Sequence, residues 1–201
     1  MSEVSSPEFL DETAQKALLR LARETIEAFL NGRPLPRIED YALPPEVVQR
    51  LKTERRGAFV TLKGGGALRG CIGRILDDLP LAEVVQRMAI AAATEDPRFP
   101  RVLPEELPLL EIEISVLTPP RRVKDLSEIQ VGRHGLIVRR GWNSGLLLPQ
   151  VPVEQGWNRD QFLAYTCLKA GLPPGAWRDP NTVIEAFEAQ VFSEADFKDQ
   201  A

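Results

Sequence analysis

The chain has 201 residues, 43% hydrophobic and 27% charged, with a formal net charge of −4. That balance fits an ordinary globular protein with one good-sized core or two small lobes. A pI near 5.3 is not the footprint of a nucleic-acid binder, and no window approaches the roughly 18 apolar residues of a membrane span.

The opening MSEVSSPEFLDE has neither a basic n-region nor an apolar h-region, so a cytoplasmic protein is expected. Leu10, Ala14, Ala17, Leu18, Leu21, Ala28 and Phe29 recur at three- and four-residue steps, which predicts a helix over residues 7–31. Ser6-Pro7 suits its cap and first turn, and Asn31-Gly32 its stop. RPLPRIEDYALPP follows as an extended crossing, because its prolines disfavour regular structure. PEVVQRLKTE reads as a short helix, and GAFVTLK, GGG, ALRGCIGRI as a β-hairpin. PLAEVVQRMAIAAAT is a second helix, closed by the loop EDPRFP.

In EIEISVLTPP, Ile112, Ile114 and Val116 face one way and Glu111, Glu113 and Ser115 the other, the alternation of a half-buried strand. HGLIVRR and GLLLPQV form another hairpin across GWNSG, with Trp142 at its tip. NRDQFLAYTCLKAG is a helix ending at Gly171, and NTVIEAFEAQVF is read with it on weaker periodicity. Helices and hairpins interleave without a βαβ rhythm, so the expected class is α+β with a mainly antiparallel, curved sheet and flanking helices. The expected core comprises Leu18, Leu21, Phe29, Val60, Leu62, Ile72, Ile112, Ile114, Val116, Ile137 and Leu147.

Cys71 and Cys167 are too few and too far apart for a disulfide framework. Cys167 lies among Phe162, Leu163, Tyr165 and Ala170 and reads as core. Cys71 stands between Gly70 and Gly73 in LRGCIGR. If that stretch is a regular strand, Leu68, Gly70 and Ile72 face the core, and Arg69, Cys71 and Gly73 the other side. Arg69 then lies roughly 6 to 7 Å from the thiol, two strand rises, and favours thiolate, while the glycines leave room for a ligand. The competing reading makes Cys71 an apolar filler and the glycines a bulge.

Gly64 to Arg69 lacks the third glycine of a dinucleotide fingerprint, and the stretch after Gly65 lacks the Lys-Ser/Thr of a P-loop. His134 is the sole histidine and the only imidazole available as a base for Cys71; a polar residue at a strand end is the alternative. One histidine and two distant cysteines do not supply the four ligands of structural zinc, and no metal or cofactor is expected. Asp96-Pro97-Arg98-Phe99 presents an arginine from a rigid loop or simply turns the chain.

GAFVTLK, LRGCIG, EDPRFP, EIEISVLTPP, HGLIVRRG, GLLLPQV and FLAYTCLKAGLP, in this order, resemble the AMMECR domain family. Its prokaryotic members are called AmmeMemoRadiSam system protein A. RGCIG is the most specific of these blocks, and the similarity runs over about residues 13–192 of a single domain spanning 1–201. Pro152 in QVPVEQGW stands where the family pattern leads one to expect a small residue such as alanine.

The resemblance implies an α+β fold of a larger and a smaller lobe with a cleft between them. It implies that Arg69, Gly70, Cys71, Ile72 and Gly73 lie at this cleft, with Arg98, Phe99 and the HGL segment as neighbours. The family's activity is not established. Its association with a Memo-like protein, similar to metal-dependent dioxygenases, and a radical S-adenosylmethionine protein implies a modification pathway.

Two functions are therefore expected. In one, Cys71 acts as a thiol with Arg69 as cation and His134 as base, and Asp77, Asp78 or Asp96 as the orienting carboxylate. In the other, the chain is a non-catalytic module that binds a small molecule or peptide through Gly70, Ile72, Gly73, Arg98 and Phe99. Nucleic-acid binding through Arg121-Arg122 and Arg139-Arg140 is disfavoured, because charged faces are usually just solvated.

Overall fold

The computed structural model describes residues 9–75 and 78–200. The chain divides into two compact units, Met1–Leu117 with Gln190–Ala201, and Thr118–Ala189.

The first unit begins with α1 (Glu12–Leu30), capped by the Asp11 side chain, which accepts from the Ala14 N–H at 2.8 Å. The Ser6-Pro7 start lies outside the described residues. Ala14, Ala17, Leu18, Leu21 and Ile26 are buried along one stripe of α1. Phe29 departs from expectation. At the last turn Ala28 takes the buried position, and the Phe29 ring is 38% exposed, with the Arg101 guanidinium 5.5 Å from its centroid.

The crossing that follows is extended apart from a 3-10 turn at Ile38–Asp40, and leads into α2 (Pro45–Thr53). Next come β1 (Ala58–Gly64), β2 (Ala67–Arg74), α3 (Leu81–Thr94) and β3 (Leu110–Leu117). With β8 (Ala189–Ser193) they form a sheet of order β2-β1-β3-β8. β1 is antiparallel to both neighbours: Val60 stands opposite Ile72 and Ile114, Leu62 opposite Gly70 and Ile112. Cross-strand partners share a face, and this one is the core, filled from above by α1 and α3. The expected core residues Val60, Leu62, Ile112, Ile114 and Val116 are all fully buried, while Ile72 is half-buried against them.

The second unit is built on β4 (Arg121–Arg122), β5 (Gly135–Arg140), β6 (Asn143–Leu147) and β7 (Val183–Phe187), antiparallel in the order β4-β7-β5-β6. α4 (Gln150–Glu154) precedes α5 (Arg159–Lys169), which buries Phe162, Leu163 and Cys167 against Leu136, Val138, Ile184 and Ala186. Ile137 is buried, and Leu147 packs half-buried against the cluster.

The β5–β6 turn is tighter than GWNSG. Only Gly141 (φ 58°) and Trp142 lie between the strands, and glycine at the first central position suits a type II′ turn. Trp142 is fully exposed there.

One expectation is corrected. NTVIEAFEAQVF is not helical but supplies β7 and β8: Ile184 and Ala186 are buried as alternate residues, a spacing that short apolar runs share with helices. The α+β class holds, with the antiparallel strands in two four-stranded sheets. Among the described residues, no helix is long and apolar enough to cross a membrane.

Candidate functional site

LRGCIGR lies on β2, the edge strand of the first unit's sheet. The register shifts between Leu62 and Lys63: Leu62 pairs with Gly70 but Lys63 with Leu68, which leaves Arg69 as an extra residue. Strict alternation fails at that point. Leu68 joins Lys63 on the outer face and is 42% exposed, where the sequence placed it in the core.

The flanking glycines are occupied by the chain itself. A Cβ on Gly70 would stand 2.2 Å from the Ala92 carbonyl oxygen, so α3 seats directly on β2. A Cβ on Gly73 would stand 2.0 Å from the Phe59 ring, which covers it on the outer face.

Cys71 sits half-buried on that outer face, opposite Thr61. The Thr61 hydroxyl donates to its sulfur at 3.2 Å. The Cys71 N–H donates to Asp96 Oδ2 at 2.9 Å, and its carbonyl lies 3.4 Å from Arg98 Nη2. These groups arrive from the turn after α3, where the Phe99 N–H closes on the Asp96 carbonyl across Pro97.

Asp96 is tied four ways. Oδ1 accepts from the Arg98 N–H (3.1 Å) and Nε (3.0 Å), and Oδ2 from Arg98 Nη2 (2.7 Å) and Cys71 N. Its side chain is 2% exposed while that of Arg98 is 55% exposed. The Arg98 fork, followed by the two backbone N–H donors, holds the Asp96 carboxyl well below the usual carboxylate range against the opposing effect of burial. Arg98 is raised in turn, chiefly by its hydrogen bonds to Asp96. Phe99 is half-buried, its ring centroid 5.5 Å from the Arg98 guanidinium.

Arg69 turns elsewhere. Its Nη1 donates to the Pro100 carbonyl (2.8 Å), and Nε and Nη2 lie 3.2–3.3 Å from the Glu106 carboxylate. Glu106 sits below its ordinary value, chiefly because it also accepts the Leu103 N–H. On the same outer face Lys63 pairs with Glu113 at 2.6 Å.

His134 belongs to the second unit and is buried. Its Nδ1 accepts the Gln130 N–H at 3.1 Å, so the neutral ring carries its proton on Nε2, 3.6 Å from Glu188 Oε1. Burial holds the ring below the ordinary histidine value, with Arg121 and Arg133 in the same direction and Glu188 opposing. Asp78 pairs with Arg74 at the surface, and Asp77 lies outside the described residues.

The structure thus brings together Cys71, Arg98 and Asp96, with Thr61 added, a residue the sequence reading did not single out. The signal that could have found it is cross-strand pairing across the GGG turn. Cys167 is fully buried, as the sequence predicts, and burial pushes its thiol up. Among the described residues no group of three His, Cys, Asp or Glu side chains could hold a metal.

A family model described as AMMECR1 matches residues 19–192. A protein of Thermococcus gammatolerans is 52% identical over 188 residues, covering 88% of each chain. Protein MK0488 of Methanopyrus kandleri is 50% identical over 186 residues, covering 88% of this chain and 86% of its own. The crystal structure of uncharacterized protein PH0010 from Pyrococcus horikoshii superposes with a TM-score of 0.73 at 45% identity, covering 92% of this chain and 93% of that one.

Proposed function

The chain belongs to the AMMECR1 family, and on that premise we propose that Cys71 is a functional thiol in a modification pathway shared with Memo-like and radical S-adenosylmethionine proteins. One observation carries the reading. Cys71 is held half-buried on the outer sheet face with a hydroxyl donating to its sulfur and both backbone groups bound by side chains. Cys167 differs: it is fully buried, its carbonyl is taken by the Ala170 and Leu172 N–H groups, and its sulfur meets the Trp177 backbone rather than a side chain. A sulfur fixed by its strand and met by a hydroxyl is prepared to carry charge or a covalent group. The proposal gives no role to His134, whose two nitrogens face Gln130 and Glu188.

A second reading, a non-catalytic module that presents a small molecule or peptide, draws on Phe59 and α3. They fill the space beside Gly73 and Gly70 and leave a rigid platform rather than an open pocket. The two are separated by mixing the chain with the Memo-like and radical proteins and measuring its intact mass. A mass shift that maps to Cys71 and disappears in Cys71→Ser is the expected result. A stable complex with an unmodified chain supports the module instead, and neither complex nor shift overturns both.

A further inference from the structure

The charges around Cys71 lie at different depths. Lys63 is the more exposed partner of Glu113 (34% against 23%), and Glu106 the more exposed partner of Arg69 (34% against 17%), so across the two pairs the outward charges largely cancel. Asp96 and Arg98 do not. The carboxylate is shut away and the guanidinium stands half in solvent, so the pair shows its positive end outward. The fork uses Nε and Nη2, and Nη1 makes no hydrogen bond among the described residues. Because the same guanidinium touches the Cys71 carbonyl, that positive end is anchored beside the thiol's own residue.

We propose that Arg98, oriented by the buried Asp96, makes the Cys71 face selective for anionic reactants: molecules with a carboxylate or phosphate close to the atom that the sulfur meets. This rests on the reading of Cys71 as a functional thiol and adds the class of substrate. Arg98 binds the anionic group through Nη1, and Asp96 is a positioning residue acting through Arg98. A planar, permanently charged donor suits carboxylate and phosphate better than a lysine would.

The test uses the full chain with iodoacetate, an anion, and iodoacetamide, its neutral counterpart. In each case the Cys71 sulfur forms a bond to the CH2 carbon, the carbon–iodine bond breaks, iodide leaves, and the thiol proton goes to water. Both reagents meet the same sulfur in the same ionisation state, so the ratio of their rates reports the local field alone. Peptide mass separates Cys71 from Cys167.

Relative to the same cysteine in urea-unfolded chain, the iodoacetate-to-iodoacetamide ratio is expected to rise about three- to tenfold at low salt. It should fall back in 0.5 M NaCl, where the screening length is only a few ångströms. Arg98→Gln should abolish the preference and Arg98→Lys retain part of it. If Arg98→Gln unfolds, the salt dependence of the unmodified chain still decides. A ratio equal to the unfolded reference, or one indifferent to salt, overturns the inference. A Cys71 inert to both reagents instead overturns the functional-thiol reading on which it rests.

Discussion

Gly70→Ala puts the packing at the candidate site to a direct trial. The new Cβ would stand 2.2 Å from the Ala92 carbonyl oxygen, well inside the separation that real Cβ atoms keep. That oxygen is part of the α3 backbone, so no side-chain rotation relieves the clash, and β2 or the helix must retreat by about 1 Å. Overpacking of this kind costs roughly 1–3 kcal/mol, and a clash with backbone belongs at the upper end. At about 2–4 °C per kcal/mol for a chain of this length, the melting temperature should drop by about 6–12 °C. Calorimetry on the two chains measures it. Gly65→Ala is the comparison: its φ of 57° strains alanine but nothing lies within 4 Å, so a loss near 1 kcal/mol is expected. An unchanged melting temperature in Gly70→Ala would refute the reasoning, because α3 could not then be seated on β2. The glycine would have to be there for access by a ligand.

Asp96→Asn keeps the shape but weakens the Arg98 fork and should cost about 1.5–3 kcal/mol by urea titration at pH 7. Because Asp96 is depressed in the folded chain, its contribution is full above the unfolded value near 4 and is lost as pH falls below it. The Asn variant should therefore be flatter than the parent across that acid range. His134 is also depressed, so between its folded value and about 6.5 the unfolded chain binds the extra proton. Stability should fall as pH drops through about 6.5, and His134→Gln should remove that slope. Cys167→Ala should cost about 1 kcal/mol, with Cys71 alkylation unaffected. In the native chain Cys71 should alkylate at least tenfold faster than the buried Cys167.

The apolar alternation of β1 and β3 was readable because Val60, Leu62, Ile112, Ile114 and Val116 alternate with Thr61, Lys63, Glu111, Glu113 and Ser115. α3 and α5 were readable from periodicity and from their flanking prolines and glycine. The bulge at Arg69 was not, since counting by twos cannot detect one unpaired residue, and Leu68 was misplaced with it. The bond from Cys71 to Asp96 joins residues 25 apart through a turn that reads as a plain helix stop. Only folding shows that the carboxylate turns inward. Phe29 failed for a related reason: periodicity runs past the point where the core ends.

The two side-chain bonds to the Cys71 backbone also decide how another molecule can arrive. An edge strand ordinarily offers its outward N–H and C=O groups to any extended chain that aligns with it. At Cys71 those two groups already meet Asp96 and Arg98, which occupy the place a fifth strand would take. The border of the sheet is therefore closed at the one residue where chemistry is expected. A peptide cannot reach the sulfur by strand addition along β2. It has to come down onto the sheet, across the row of Phe59, Thr61 and Lys63, with its backbone free of the ladder and its recognition left to side chains.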